Sequence, residues 1–257
     1  MTASTTEAPP TAAAYVYGVV AADAIPAIER QGIADAPVRA IADGGVAALV
    51  SALPPGDLRI RRRDLLNHLR VLEDAFAEGT VVPCAFGMVL SSDDAVRREL
   101  LEPRRDELLA LLQRLEGHAQ LNVRVAYDED VVLHEIVAAD PTITQLREQT
   151  RGLAEDAGYS LRMQLGELVA SALGSARERD GEAILERLAS KAADVVVEET
   201  GEDVLKASFL VSPKDADAFD RELERIAEEQ APRLQIDVVG PLPPSAFATL
   251  ERGAWGS

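Results

Sequence analysis

Alternating apolar and polar side chains mark the clearest predicted strands of this chain. Residues 121–127 and 205–211 both alternate with a period of two, which is typical of a half-buried β-strand. A third alternating run begins at Leu234. Between the last two runs, Ser212 and Pro213 have the residue types of a helix start, and apolar residues then recur at helical spacing. The pattern therefore predicts a strand, a helix and a strand near the C-terminal end.

The other patterns extend this unit into two halves of similar order. After residue 119 the prediction is strand, helices over about 129–193, strand, strand, helix and strand. This is the βαββαβ order of a ferredoxin-like domain, with an enlarged first helical segment. The N-terminal half gives a less regular version, with a hairpin turn at 43–45. The predicted fold class is therefore α+β, with two ferredoxin-like (βαββαβ-type) domains.

A helix predicted over about 61–78 combines an apolar face with a basic start. Leucines and one phenylalanine recur at helical spacing, so we expect this face to be buried: Leu65, Leu69, Leu72 and Phe76. Arginines precede and open the helix, and we interpret them as a solvated first turn: Arg59, Arg61, Arg62 and Arg63.

Composition and helix-breaking residues place the domain boundaries. The first residues are rich in Thr, Ala and Pro, so we expect them to be disordered. An amphipathic segment interrupted by Pro103 separates the two halves. The predicted organisation is a disordered tail over 1–13, a modified ferredoxin-like domain over 14–90, a bridging helix over 91–118, an α+β ferredoxin-like domain over 119–247 and a tail over 248–257.

The charge balance excludes one class of partner. The 257 residues include 26 basic and 44 acidic side chains, which gives a net charge of −18. A surface this acidic repels phosphate backbones, so we expect no nucleic-acid partner. No apolar run approaches the roughly 20 residues that cross a bilayer, so we expect no membrane partner.

Candidate catalytic and metal-binding side chains are few and scattered. His68, His118 and His134 share no metal-ligand spacing, and we interpret His68 as a boundary residue beside the apolar face of its helix. Cys84 is the only cysteine, and its Val-Pro neighbours favour a small buried hydrophobic residue. The chain has no glycine-rich phosphate loop and no GxSxG nucleophile motif. We therefore predict no enzymatic activity, no metal and no cofactor.

Four segments carry a resemblance to a known family. They are YVYGVV at 15–20, VPCAFGMV at 82–89, LNVRV at 121–125, and FLV at 209–211 leading to a terminal GPLPPSAF at 240–247. In this order the chain resembles the gas vesicle protein F/L family over nearly its whole length.

Nine residues of these motifs are candidate site residues, and we expect them to serve folding rather than catalysis. We expect Phe86 to be buried near the junction of the two domains. The chain departs from the usual family motifs at Ala85, Leu242 and Ser245–Ala246, where the family has Arg, an aromatic residue and Tyr-Ser. The nine residues are Tyr17, Gly18, Pro83, Phe86, Gly87, Gly240, Pro241, Pro244 and Phe247.

The resemblance implies an accessory or minor structural protein of gas vesicle assembly. Such a protein binds the hydrophobic major shell protein, restrains its aggregation and works beside other gas vesicle accessory proteins. It is cytoplasmic before assembly and then belongs to the gas vesicle, with at least one family member on the gas-facing side of the shell. We expect the contact surface to be an exposed sheet edge or an apolar stripe of the helices over 159–190.

Two other functions remain open at this point. Ferredoxin-like sheets also serve as regulatory modules that bind a small ligand at their edges. Tandem domains of this kind also occur in haem enzymes of the chlorite-dismutase type, in which an axial histidine is required. His68 or His134 would have to be that ligand.

Overall fold

The computed structural model describes residues 12–54 and 61–250, and the chain divides into two compact units. Unit 1 contains the residues up to Gln120 together with those from Pro241 onward, and unit 2 contains Leu121–Gly240. Each unit has an antiparallel sheet with helices, so the predicted α+β class is confirmed.

The sheet of unit 1 is built around a strand that is buried on both faces. Its strands are β1 (Ala13–Ala21), β2 (Val38–Asp43), β3 (Val46–Leu53), β4 (Val82–Pro83) and β5 (Val89–Leu90). Their order is β2-β3-β1-β4, and β5 also pairs with β1. Gly44 and Gly45 close the β2–β3 hairpin with φ angles of 55° and 94°, which glycine adopts without strain. The tail predicted over 1–13 lies outside the described residues, except for its last two.

Helix α1 (Arg62–Glu78) packs on this sheet by a different face from the one that its leucines predict. Leu65 and Leu69 are 40% and 45% exposed, so their predicted burial is wrong. The buried face contains two polar side chains with partners: His68 bonds to a tyrosine of β1, and Asp64 accepts the N–H of the residue preceding α1. A helix face with satisfied polar groups can be buried at little cost. The buried residues of α1 are Asp64, His68, Val71, Leu72 and Ala75.

The described part of unit 1 also contains a single 3-10 turn at Ile33–Asp35 and two longer helices. They are α2 (Asp93–Ala95, continuing as the π-helical Val96–Leu101) and α3 (Arg105–Leu115). The Ser92 hydroxyl caps α2 by accepting the N–H of Ala95 at 3.1 Å. The segment 91–118, predicted to bridge the two domains, instead packs on β1, β3 and β4, because its apolar face needs a sheet to cover it. The buried residues of these helices include Val96, Leu100, Leu101, Leu108, Leu112 and Leu115.

Unit 2 contains one four-stranded sheet and four helices. In chain order its elements are β6 (Ala119–Tyr127), α4 (Glu129–Ala139), α5 (Pro141–Thr150), α6 (Glu155–Ala189), β7 (Asp194–Val197), β8 (Leu205–Val211), α7 (Ala216–Gln230) and β9 (Leu234–Leu242). The strand order is β7-β8-β6-β9, so the strands predicted in this half form one sheet. Helix α7 begins three residues later than predicted, because Ser212 starts a turn in which its carbonyl accepts the N–H of Asp215 at 3.0 Å.

Close packing of α6 on β8 depends on a glycine. A Cβ added at Gly181 would lie 2.4 Å from the carbonyl oxygen of Val204, whereas a Cβ at Gly166 of the same helix meets nothing within 4 Å. We expect Gly181→Ala to lower the free energy of unfolding by about 1–3 kcal/mol, since a backbone atom must move. Gly166→Ala is expected to raise it by up to about 1 kcal/mol through helix propensity alone. Urea denaturation of both variants tests this, and equal effects would contradict the packing described.

Candidate functional site

Residues of the first two motifs and of the C-terminal segment meet in unit 1. Gly18 of β1 lies opposite Pro83 of β4 in antiparallel register. The C-terminal segment then joins the same place: Leu250 N–H donates to the Pro83 carbonyl at 2.9 Å, and Ala85 N–H donates to the Leu250 carbonyl at 2.8 Å. Leu250 is also bridged in parallel with Cys84. Backbone hydrogen bonds thus connect the first two motifs with the segment that follows the terminal one.

This contact corrects the predicted C-terminal tail. Leu250 is 2% exposed and Ala248 is 9% exposed, so residues 248–250 are part of unit 1, while 251–257 lie outside the described residues. The predicted domain over 119–247 also ends earlier, since the chain returns to unit 1 at Pro241. The physical reason is that Leu250 has both a buried side chain and paired backbone groups.

The terminal GPLPPSAF motif is held by side chains of unit 1. Gln120 Oε1 accepts the N–H of Ala246 at 2.8 Å, and Arg114 donates to the carbonyl of Phe247 at 3.1 Å. Pro244 is buried and Phe247 is half-buried, whereas Gly240 and Pro241 are exposed at the end of β9. The two parts of the motif therefore have different surroundings.

A tyrosine–histidine network lies beneath the central strand. The Tyr15 hydroxyl accepts the N–H of Gly87 at 3.0 Å and lies 2.9 Å from Nδ1 of His68. Burial keeps His68 neutral, and the ring donates its one N–H to the backbone of Cys84, so Nδ1 accepts the hydrogen of the Tyr15 hydroxyl. Both ring nitrogens of His68 are therefore occupied.

Tyr17, the second tyrosine of β1, forms its own set of hydrogen bonds. The Tyr17 hydroxyl donates to Ser51 Oγ at 2.9 Å and accepts the N–H of Ile33 at 2.6 Å. A Cβ at Gly32 would lie 2.0 Å from that hydroxyl, so only glycine fits this close approach. Tyr17 thus ties the loop before β2 to the sheet.

Phe86 and Gly87 support this network from the loop between β4 and β5. The Phe86 ring packs edge-on against His68, with ring centroids 5.5 Å apart. Phe86 is half-buried rather than enclosed, and it packs against the core of unit 1. Gly87 has a φ angle of 90°, which favours glycine, and its N–H is the one that reaches Tyr15.

Burial favours the neutral forms of the histidine, the cysteine and the two tyrosines of this network. It lowers the pKa of His68 from 6.5 to about 4, partly offset by the hydrogen bond to the Cys84 backbone. Burial raises the pKa of the Cys84 thiol to about 12, and it also raises the pKa of both the Tyr15 and Tyr17 hydroxyls. A neutral histidine with both nitrogens bonded and a protonated thiol provide neither a free axial ligand nor a nucleophile. The hydrogen bonds of Tyr15 therefore join β1 to α1 and to the loop between β4 and β5.

Sequence reasoning missed several residues of this site. His68 was predicted at the boundary of its helix and is 2% exposed. Tyr15 and Ser51 were not singled out, although Tyr15 stands two residues before Tyr17 and so shares its side of the strand. Gln120 and Leu250 had no local signal, because their partners are distant in sequence.

The described ranges, 12–54 and 61–250, contain neither a metal-binding cluster nor a membrane-spanning helix. There, no group of three or more His, Cys, Asp or Glu side chains is placed to hold a metal ion. None of the helices in those ranges has the length and apolar character needed to span a membrane.

Unit 2 has two exposed sheet edges and a partly uncovered helix. At the β9 edge, Val238 and Val239 are 45% and 57% exposed. At the β7 edge, Val196 and Val197 are exposed. On α6, whose C-terminal half packs on the sheet, the N-terminal half leaves an apolar surface that includes Tyr159.

A family model described as "Gas vesicle synthesis protein GvpL/GvpF" matches residues 13–249 of this chain. The chain belongs to this family, and the resemblance found in the sequence is confirmed. It is 37% identical to the gas vesicle protein F of a Streptomyces species, a match that covers 91% of this chain and 98% of that protein. A gas vesicle protein L from the same Streptomyces strain is 25% identical, covering 91% of this chain and 92% of the relative.

Solved structures of GvpL/GvpF family members share this fold. The crystal structure of GvpF from Anabaena matches with a TM-score of 0.78 at 26% identity, covering 93% of this chain and 98% of that one. GvpF from Microcystis aeruginosa matches with a TM-score of 0.70 at 24% identity, covering 93% of this chain and 100% of the other. The arrangement described for this GvpL/GvpF protein is therefore that of a gas vesicle protein.

Proposed function

We propose that this chain is a non-enzymatic accessory protein of gas vesicle assembly. In this proposal it binds the major gas vesicle shell protein directly, restrains its aggregation and works beside other accessory proteins. The family match over residues 13–249 carries the proposal. The protein acts in the cytoplasm before assembly and then joins the vesicle, on the gas-facing surface of the shell.

The β9 edge is the surface that we assign to the shell protein. It is nine residues long and lies at one end of the strand order, so one row of its backbone groups has no partner strand in the described part of the chain. Exposed Val238 and Val239 lie side by side in β9, where successive residues point to opposite faces of the sheet. An added strand would gain main-chain hydrogen bonds along the edge and apolar contacts on both faces.

Other edges are less suited to strand addition. β7 has only four residues and is followed by an ion pair between Glu198 and Lys206 at 2.6 Å. On β2, Arg39 forms an ion pair with Asp93 at 2.6 Å, and the strand contacts the π-helical part of α2. Charge and covering elements both protect an edge from pairing.

Two further features support a role in handling an apolar client. The uncovered half of α6 exposes Tyr159 by 66% and Met163 by 51%, which gives a second apolar contact. The net charge of −18 would keep a complex with a hydrophobic client in solution through repulsion between complexes.

We also propose that unit 2 is a ferredoxin-like domain. The strands of unit 2, numbered from its start, lie in the order second, third, first, fourth, with helices between the first and second and between the third and fourth. This supports a ferredoxin-like unit with an enlarged helical segment, as predicted. Unit 1 shares the antiparallel sheet but has short strands at one edge.

Co-expression with the shell protein, followed by pull-down at low and high salt, tests the function. We expect association that survives about 0.5 M salt, since apolar contact and backbone pairing are weakly screened. Val238→Lys with Val239→Lys is expected to abolish it without loss of stability, because both side chains are exposed. Val196→Lys with Val197→Lys is the matched control on the opposite edge. No association in either salt, with the shell protein soluble alone, would refute the proposed function.

A further inference from the structure

The outward side of α1 carries an exposed leucine cluster beside arginines. Leu65, Leu66 and Leu69 are 40%, 43% and 45% exposed. At 100° per residue, Leu66 and Leu69 point away from the buried side of the helix, and Arg62 and Arg70 lie next to them. We call these five residues the leucine–arginine face. It extends for about 12 Å, a little over two helical turns.

The charge of this face is opposite to that of the whole chain. The chain has a net charge of −18, yet Arg62 and Arg70 are both exposed. Within the described part of the chain, the ion pairs of α1 are Arg63 with Asp64 at 3.7 Å and Asp74 with Arg30 at 2.7 Å. Neither Arg62 nor Arg70 takes part in these two ion pairs.

We propose that the leucine–arginine face docks an amphipathic helix of another protein, with an apolar stripe flanked by Asp or Glu. Leucines on the two helices would bury each other, and the acidic flank would pair with Arg62 and Arg70 in the manner of flanking charges in a coiled coil. Salt limits electrostatic interactions to about 8–10 Å, so an incoming helix senses this local patch rather than the net charge of the chain.

The same charges argue against two other occupants. In a two-fold contact between two copies that centres on Leu66, Arg62 of one copy would lie near Arg70 of the other, and the two like charges would repel each other. An anionic bilayer would meet a wider surface of a chain whose net charge is −18, and would be repelled. The proposal goes beyond the shell-protein function, since it concerns a helix of unit 1 and holds whichever partner takes the β9 edge.

Two synthetic peptides of about 18 residues provide the probes. Both have the same leucine stripe, and one has glutamate flanks where the other has lysine flanks. Fluorescence anisotropy with the full chain is expected to show the glutamate peptide binding at least about tenfold more tightly than the lysine peptide. Leu66→Ser with Leu69→Ser is expected to weaken that binding at least about tenfold. Arg62→Glu with Arg70→Glu is expected to reverse the preference between peptides.

A matched control keeps the charge change and moves it elsewhere. Arg147→Glu with Arg221→Glu alters two exposed arginines of α5 and α7 and is expected to leave peptide binding unchanged. Circular dichroism confirms that each variant folds. Equal binding of both peptides, or no binding of either, would overturn the proposal. So would tighter binding to anionic vesicles than to the glutamate peptide, or a dimer that Arg62→Glu dissociates.

Discussion

A chain that ends at Gly240 is expected to lose the stable fold of unit 1. The missing segment includes Leu250, which is 2% exposed and pairs with the backbone of Pro83 and Ala85. Losing a buried leucine costs about 2–5 kcal/mol, and each lost hydrogen bond adds about 1 kcal/mol. The sum approaches the total stability of a typical domain, about 5–15 kcal/mol.

A second truncation tests whether the loss of stability comes from the contacts of Leu250 or from shortening the chain at all. A chain that ends at Leu250 keeps the contacts with Pro83 and Ala85, so its free energy of unfolding should stay close to that of the full chain. Far-ultraviolet circular dichroism during urea denaturation measures both. If the chain ending at Gly240 unfolded at the same urea concentration as the full chain, the C-terminal segment would not be part of the core of unit 1.

Acidification is expected to destabilise the protein through His68. Burial holds the pKa of His68 near 4 in the folded chain, against 6.5 when exposed. Between these values the unfolded chain binds more protons, so the stabilising contribution is fully present above pH 6.5 and is lost as the pH falls towards 4. A difference of this size corresponds to about 3 kcal/mol. Protonation would also place a hydrogen on Nδ1, where it would oppose the Tyr15 hydroxyl.

The variant His68→Phe isolates this contribution. It removes the titrating group, so it should be less stable than the wild type at neutral pH, where the hydrogen bond to Tyr15 is lost. Its stability should fall less on acidification, by about 3 kcal/mol between pH 7 and pH 4. Parallel pH profiles for the two proteins would show that His68 does not titrate with a lowered pKa.

Local patterns were enough to predict the strands of unit 2, but not which surfaces they cover. Alternation over 205–211 identifies β8 because each residue of a strand has a fixed side. A helix such as α1 has several faces, and which face is buried depends on its tertiary partners. One such partner is Tyr15, which is hydrogen-bonded to His68 and lies 53 residues before it in the chain. Leucine spacing alone therefore selected Leu65 and Leu69, which are exposed.

The candidate site was predicted in part for the same reason. The motifs that contain Gly18 and Pro83 were identified in sequence, but their pairing in adjacent strands was not. The return of Leu250 to that place is a contact between residues far apart in the chain, and no short pattern encodes it. Similarly, the run from Leu234 predicts a strand, whereas its position at the sheet edge depends on the order of all four strands.

Hydrogen–deuterium exchange of the complex with the shell protein tests the central claim most directly. In the free protein, the outward amides of β9 have no partner strand among the described residues and should exchange quickly. On binding, peptides that cover Leu234–Leu242 are predicted to become protected, while those that cover Asp194–Val197 at the opposite edge keep their rate. Protection that appeared elsewhere, or no protection at a saturating concentration of shell protein, would contradict strand addition at β9.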